Sequence, residues 1–389
     1  MTRPLVHVLT PGDHFSPRTG SAIPTVVDGL STGAPAGGPR ATVVVAAGTY
    51  PQRYPSADAV EYSPVPARPA DRYVDVALAR LGLPRAGVRR TLRAALAGQA
   101  AWSPAFVLAH NAPALVPLVD RRHVPVLYAH NQVLGTYGHG EARRTLAPAA
   151  AVVCVSDYLA DQVRDSLPLE LRARVRTVRN GVDLARFGGH RTPRVDRLRV
   201  VYVGRVISSK GVHVLLDAIG LLGRADVEVT IVGRAGFAHD APLTRYERAL
   251  RTRAADLRSP VHFASFVDRD ALPRLLGRAD VVVAPSVWPE PFGLTALEGM
   301  AAGAAVVASQ VGGLPEAVGS AGMLVPPDDP AALAAVVEHL ADDGGALDRA
   351  QRHAVEHARA QGWRHASQCL HALLTAEGAD LPDRTGGPA

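Results

Sequence analysis

Short apolar runs recur along the chain, separated by longer stretches whose apolar positions fall at helical spacing. In the first half the runs are LVHVLT (5–10), TVVVAAG (42–48), AFVLAHN (105–111), VPVLYAHN (124–131), AVVCVS (151–156) and RVRTVRNG (174–181). In the second they are LRVVYVGR (198–205), VEVTIVGR (227–234), VHFASFV (261–267), DVVVAPS (280–286), AAVVAS (304–309) and GMLVP (322–326). Several are continuous rather than alternating, as strands buried on both faces are. Strands interleaved with helical patterns predict parallel sheets, an α/β fold. Two such doubly wound domains facing one another would place a ligand in the crevice at the carboxyl ends of their strands.

The segment RFGGHRTPRVDRL (186–198) is rich in Gly, Pro and Arg and reads as an interdomain linker, while STGAPAGGPR (31–40) reads as a surface loop. This gives a first domain over 1–190 and a second over 191–362. A closing helix over 363–378 would be faced by Trp363, Ala366, Cys369, Leu370 and Leu373, and a disordered tail would cover 379–389. The chain has 389 residues, room for two domains or three. Its 47% hydrophobic content supplies large cores and excludes global disorder. No apolar run is long enough to span a bilayer. The start, MTRPLVHVLTPG, lacks the basic and apolar regions of a signal peptide and reads as a first strand. Two cysteines, Cys154 and Cys369, exclude a disulfide scaffold and a cysteine metal cluster, so a cytoplasmic enzyme fits.

The net charge is +6, and among the basic residues one alone is a lysine, Lys210. A chain that uses Arg elsewhere keeps a single ammonium, which marks that position for chemistry needing a compact charge. Lys210 follows Arg205 in VYVGRVISSKG (201–211), where a buried strand gives way to a helix. Two cations five apart across such a loop make a clamp for a diphosphate. The order of a Walker loop is absent, and so is GxGxxG, which argues against a nicotinamide dehydrogenase.

The segment PSVWPEPFGLTALEG (285–299) places Glu290 before a helix that starts near Phe292–Gly293, with Glu298 on it. The amides of Phe292, Gly293 and Leu294 are then open donors for an anion or for sugar hydroxyls, and the two carboxylates suit vicinal diols. Equally, Glu290 could cap the helix and Glu298 face solvent. After the first strand, TPGDHFSPRTGSAIP (10–24) brings Gly20 to a second helix start, suited to a phosphate or simply a capped terminus. His130 closes one strand and His110 closes the strand before it. Asp268–Arg269–Asp270 has the form of a metal–nucleotide site but precedes ALPRLLGRA, so helix capping is the expected role. Arg80, Arg85, Arg89, Arg90 and Arg93 crowd one helical stretch; they suit an anionic membrane surface or an acidic acceptor, or form a solvated face. Few aromatics accompany them, and nucleic-acid binding is unsupported. No histidine spacing suits a metal.

Taken together, EPFGLTALE (290–298), GRVISSKG (204–211), NGVD (180–183) and APS (284–286) resemble retaining glycosyltransferases of the GT-B fold, family 4 (group 1). The resemblance implies two Rossmann-like domains, an N-terminal one for the acceptor and a C-terminal one for a nucleotide sugar. The helix over 363–378 would pack back on the first. It implies a hexose moved from a nucleoside-diphosphate sugar, UDP before GDP, to an acceptor hydroxyl with retention and without a metal or other cofactor. Arg205, Lys210 and the backbone at Gly20 would meet the diphosphate; Glu290 with Phe292, Gly293 and Leu294 would hold the sugar; Glu298 would bind the ribose. His130 would line the sugar–acceptor site and Phe266, in FASFV, the donor site. Two departures are Thr19-Gly20-Ser21 where the family often has Gly-Gly, and Ser265 where it commonly has Gly. Alternatives are an inverting transferase with His14 as base, oriented by a carboxylate, and an inactive subunit of the same fold.

Overall fold

The computed structural model describes residues 3–48, 50–194, 196–236 and 242–379; from residue 380 on, the expected tail lies outside the described residues. The chain divides into two units, 1–180 with 363–389, and 181–362.

The first unit is built on seven strands: β1 (Leu5–Val8), β2 (Thr42–Ala46), β3 (Asp58–Tyr62), β4 (Phe106–His110), β5 (Val124–Ala129), β6 (Ala151–Cys154) and β7 (Val175–Thr177). All pair in parallel in the order β3-β2-β1-β4-β5-β6-β7. The second unit has β8 (Leu198–Val203), β9 (Val227–Val232), β10 (Val261–Ala264), β11 (Val281–Ala284), β12 (Ala305–Ser309) and β13 (Met323–Val325), parallel in the order β10-β9-β8-β11-β12-β13. Each order reverses at its first strand. Right-handed crossovers then put helices on both faces and open a crevice beside that strand's carboxyl end, between β1 and β4 in one unit and between β8 and β11 in the other.

The central strands carry the cores. Every residue of β5 is buried, and Val200, Val229, Ile231, Val281, Val283 and Val307 form one cluster with Leu215, Leu216 and Ile219 of the helix Val212–Leu222. Fully burying such side chains contributes about 1.5–3 kcal/mol each. Strands end earlier than the apolar runs: 198–205 stops at Val203 and 280–286 at Ala284, releasing Arg205 and Ser286 into loops. The strand β3, DAVEY, escapes the sequence pattern because four of its five residues are exposed on a sheet edge.

The stretch 186–198 is not a free linker. Arg191 and Arg199 converge on the fully buried Asp280 at 2.9 Å, Thr192 N–H donates to the Gly277 carbonyl at 2.9 Å, and Arg186 pairs with Asp270. Burial raises the Asp280 pKa, but the two guanidiniums outweigh it and hold the carboxyl below its usual range. These bonds tie the segment to the second unit, and the division falls at 180/181.

The last helix, Trp363–Ala379, belongs to the first unit and packs on the helix Ala22–Thr32. Trp363 lies against Gly29, where any Cβ would stand 2.2 Å from the indole. Its buried stripe is Trp363, Ala366, Ser367, Leu370 and Leu374, with Cys369 exposed, so the inward positions are shifted from those expected. Among the arginines singled out, Arg85 is bound to Glu141 at 2.6 Å and stacked on Tyr137, and Arg90 pairs with Asp71. The stretch is therefore two helices, Asp71–Arg80 and Ala86–Arg93, with part of its charge neutralised within the fold.

Candidate active site

Three loops of the second unit meet beyond the carboxyl ends of β8, β11 and β12. The loop after β8 turns through Ser208–Lys210 into the helix Val212–Leu222 at Gly211. Gly211 has φ +69°, and a Cβ there would stand 1.7 Å from the Pro285 carbonyl oxygen, so only glycine lets the two loops close. The Ser209 carbonyl accepts from the amides of Val287 at 3.1 Å and Trp288 at 3.3 Å, knitting the loops through their backbones. The third loop joins by a parallel bridge between Glu290 and Gly312, with Gly313 N–H donating to the Glu290 carbonyl at 2.7 Å.

This backbone frame brings Lys210 to Glu290. Nζ is 2.5 Å from Oε1, and the Ser286 hydroxyl donates to the same oxygen at 2.5 Å. Oε2 is thereby left as an acceptor with no hydrogen bond to a described residue. Glu290 is not a cap: the helix Leu294–Ala301 has Gly293 at its N-cap, with no side chain accepting there. The Ala296 and Leu297 amides donate to the Gly293 carbonyl, while those of Leu294 and Thr295 precede any intrahelical acceptor and are open donors among the described residues. Phe292 is buried, which leaves its backbone as the group it can offer. Arg205 is exposed, its carbonyl held at 2.7 Å by the buried Tyr202 hydroxyl.

Glu298 does not face solvent. It is 1% exposed, pairs with Arg269 through Oε1, and its Oε2 is buried without a partner among the described residues. Arg269 comes from the Asp268–Arg269–Asp270 turn, which does not cap the following helix; the N-cap is Ala271 and no side chain accepts there. The middle residue of that triplet is thus the one that matters to Glu298, a pairing across the fold that spacing along the chain cannot reveal. Phe266 lies half-buried just past β10.

In the first unit the loop after β1 leads to the helix Ala22–Thr32, capped by Ser21, with Gly20 exposed beside it. Asp13 organises this loop, accepting from Thr10 at 2.5 Å and from Ser21 at 2.6 Å. His14 stacks edge-on against Tyr50; its Nδ1 is buried and unbonded, and burial lowers its pKa. The neighbouring Asp13 carboxylate is thus bonded to hydroxyls, and among the described residues no side chain bonds His14 Nδ1. His130, just past β5, is 6% exposed; burial pushes its pKa down to about 3. It bonds His110 at 2.7 Å, so both histidines belong to one cluster. Among the described residues no three His, Cys, Asp or Glu side chains converge as a metal site would.

Residues 23–186 match the model of Glycosyltransferase Family 4, and residues 197–343 that of Glycosyl transferases group 1. A glycogen synthase of Mycobacterium tuberculosis is 32% identical over 333 residues, 78% of this chain and 78% of its own. The chain belongs to the group 1, family 4 glycosyltransferases. A D-inositol 3-phosphate glycosyltransferase of Streptomyces avermitilis is 36% identical over 53% of this chain and 47% of its own. Among solved structures, sucrose-phosphate synthase of Thermosynechococcus elongatus superposes with a TM-score of 0.73 at 18% identity, over 97% of this chain and all of that one. Anabaena HepE in complex with UDP-glucose gives 0.69 at 19% identity, over 96% of this chain and all of that one. Two Rossmann-like parallel-sheet units make this glycosyltransferase a GT-B enzyme.

Proposed function

We propose that this glycosyltransferase moves a hexose from UDP to an acceptor hydroxyl with retention of anomeric configuration and without a metal. The Lys210–Glu290 pair at the β8/β11 switch point carries the reading, because it joins a cation for the diphosphate to a carboxylate for the sugar. UDP is chosen because the structural relative HepE was solved with UDP-glucose. As the anomeric C–O bond breaks, its electron pair passes to the diphosphate oxygen. Lys210, Arg205 and the first amides of the helix Leu294–Ala301 stabilise that charge. Glu290 Oε2 accepts from sugar hydroxyls. The orphan Oε2 of Glu298 takes a ribose hydroxyl, relieving an unmet acceptor worth about 1–3 kcal/mol. Phe266, past β10 of the same unit, would line the base. The acceptor hydroxyl attacks from the face the diphosphate leaves and gives its proton to a phosphate oxygen. An inverting reaction based on His14 has less support, since among the described residues no carboxylate bonds its Nδ1.

For the first unit the reading adds a peripheral contact with an anionic membrane surface. Tyr73 and Leu81 are 77% and 72% exposed, and Arg80, next to Leu81 in the chain, and Arg93 are exposed as well. Exposed apolar and basic side chains on one helical stretch suit a lipid interface. Cosedimentation with phosphatidylglycerol vesicles, but not with phosphatidylcholine ones, is the expected result.

A nucleoside-diphosphate panel followed by product analysis tests the main reading. UDP at about 100 times its Kd should add roughly 2.7 kcal/mol of stability. The product made from an α-linked donor should be α-linked by its anomeric proton coupling. A β-linked product would overturn retention, and stabilisation by GDP alone would overturn UDP.

A further inference from the structure

Three histidines cross the first sheet on a diagonal. In the register of the sheet His7 lies opposite Leu108 and His110 opposite Tyr128. Side chains two apart on a strand share a face, so His7, His110, Tyr128 and His130 all project from one side. Each step moves one strand across and two residues up. His7 Nδ1 is 2.9 Å from His110 Nε2, and His110 Nδ1 is 2.7 Å from His130 Nε2. Tyr128 stacks on His110 and His130, its hydroxyl unbonded among the described residues. The inner end is closed: His7 and His110 are 0% exposed, and His7 Nε2 is buried with no partner among the described residues. The outer end is His130, whose amide donates to Asn111 Oδ1 at 2.7 Å and whose Nδ1 takes no part in the chain.

Burial keeps all three rings neutral, with His7 and His130 held at about 3 and His110 well below its ordinary value; a proton on His371 of the last helix would further disfavour one on His7. Each ring then carries one N–H, and each ring-to-ring bond needs one N–H and one lone pair. The protons must therefore all lie on the same side of their rings. Either they point inward and leave an N–H stranded at His7 Nε2, or outward and leave a bare lone pair there. Buried N–H groups without acceptors are the rarer kind of orphan. The outward arrangement has His7 Nδ1–H donating to His110, His110 Nδ1–H donating to His130, and His130 Nδ1–H directed out of the chain.

We propose that His7 and His110 are positioning residues that fix His130 as a neutral Nδ1–H donor, so that it gives a hydrogen bond to a hydroxyl oxygen of the acceptor and cannot act as a base at that atom. The contact with the acceptor rests on the function proposed above; the tautomer does not. It also leaves the acceptor's proton to the phosphate oxygen, since His130 has no lone pair facing outward.

The test is long-range proton–nitrogen correlation on full-length protein labelled with 15N-histidine at pH 7, with His130→Gln identifying its resonances. A pyrrole-type Nδ1 and pyridine-type Nε2 at His130 are expected; the reverse pattern, or an imidazolium, would overturn the proposal. His110→Leu should shift His130 toward the other tautomer and lower kcat/KM about tenfold, the worth of one hydrogen bond. His110→Asn, which keeps an amide donor facing His130, should restore both. An unaltered His130 pattern in His110→Leu would overturn the relay even if activity fell. The expected pattern with full turnover in His130→Ala would instead overturn the placement of His130 at the acceptor.

Discussion

Lys210 Nζ rests 2.5 Å from Glu290 Oε1 across 80 residues of sequence, and both reach that point from loops that open at strand carboxyl ends. The pair is partly open to solvent, with side chains 27% and 15% exposed, so it contributes little to stability. Lys210→Ala should therefore leave the unfolding midpoint nearly unchanged while lowering kcat by about 10²–10³, the usual loss when one donor to a developing anion is removed. Steady-state kinetics beside a urea titration separates the two effects; equal losses in both would show that the pair is structural.

Glu298 presents the opposite case, buried and bound to Arg269. Glu298→Gln keeps the shape and removes the charge. The donor KM should rise about tenfold or more with kcat little altered, and the preference for UDP over its 2′-deoxy analogue should shrink. Isothermal titration with the two diphosphates reads this directly.

Gly211 is a strain test of the frame itself. Gly211→Ala puts a methyl into the Pro285 carbonyl at a left-handed φ, and the expected cost is about 2–4 kcal/mol. Urea denaturation measures it, and activity should fall with it because the loop carrying Lys210 is displaced.

Acid should weaken the first unit through its histidines. In the unfolded chain they charge near pH 6.5, while in the fold His7 and His130 stay neutral down to about 3. The unfolded state then binds more protons below 6.5. Stability is complete above that pH and falls as pH drops toward 3, by about 1.4 kcal/mol per pH unit for each such group. Urea midpoints at pH 7, 6 and 5 should decline, and the decline should be shallower in His7→Phe.

The α/β alternation was legible because central strands are continuous apolar runs, and Lys210 was legible because no other lysine competes with it. What could not be read were the relations that need tertiary register. DAVEY offers no apolar run because its neighbours leave it exposed at an edge. Arg269 sits in a triplet whose acidic flanks suggest capping, and only the fold turns it toward Glu298. His110 and His130 end adjacent strands and looked like rivals for one role; the diagonal offset of β4 and β5 makes them links of one chain. The apparent linker at 186–198 carries little apolar content because it is held by ion pairs to Asp280.

The first unit needs residues from both sides of the second, since Trp363 and its helix complete it, and the two crossings are clasped where Val182 N–H donates to the Gln361 carbonyl at 2.8 Å. The second unit is thus an uninterrupted insert within a split host. On the ribosome its whole sequence emerges before the host receives its final helix. The first unit can therefore finish folding only after the second has been made in full, when its closing seventeen-residue helix follows.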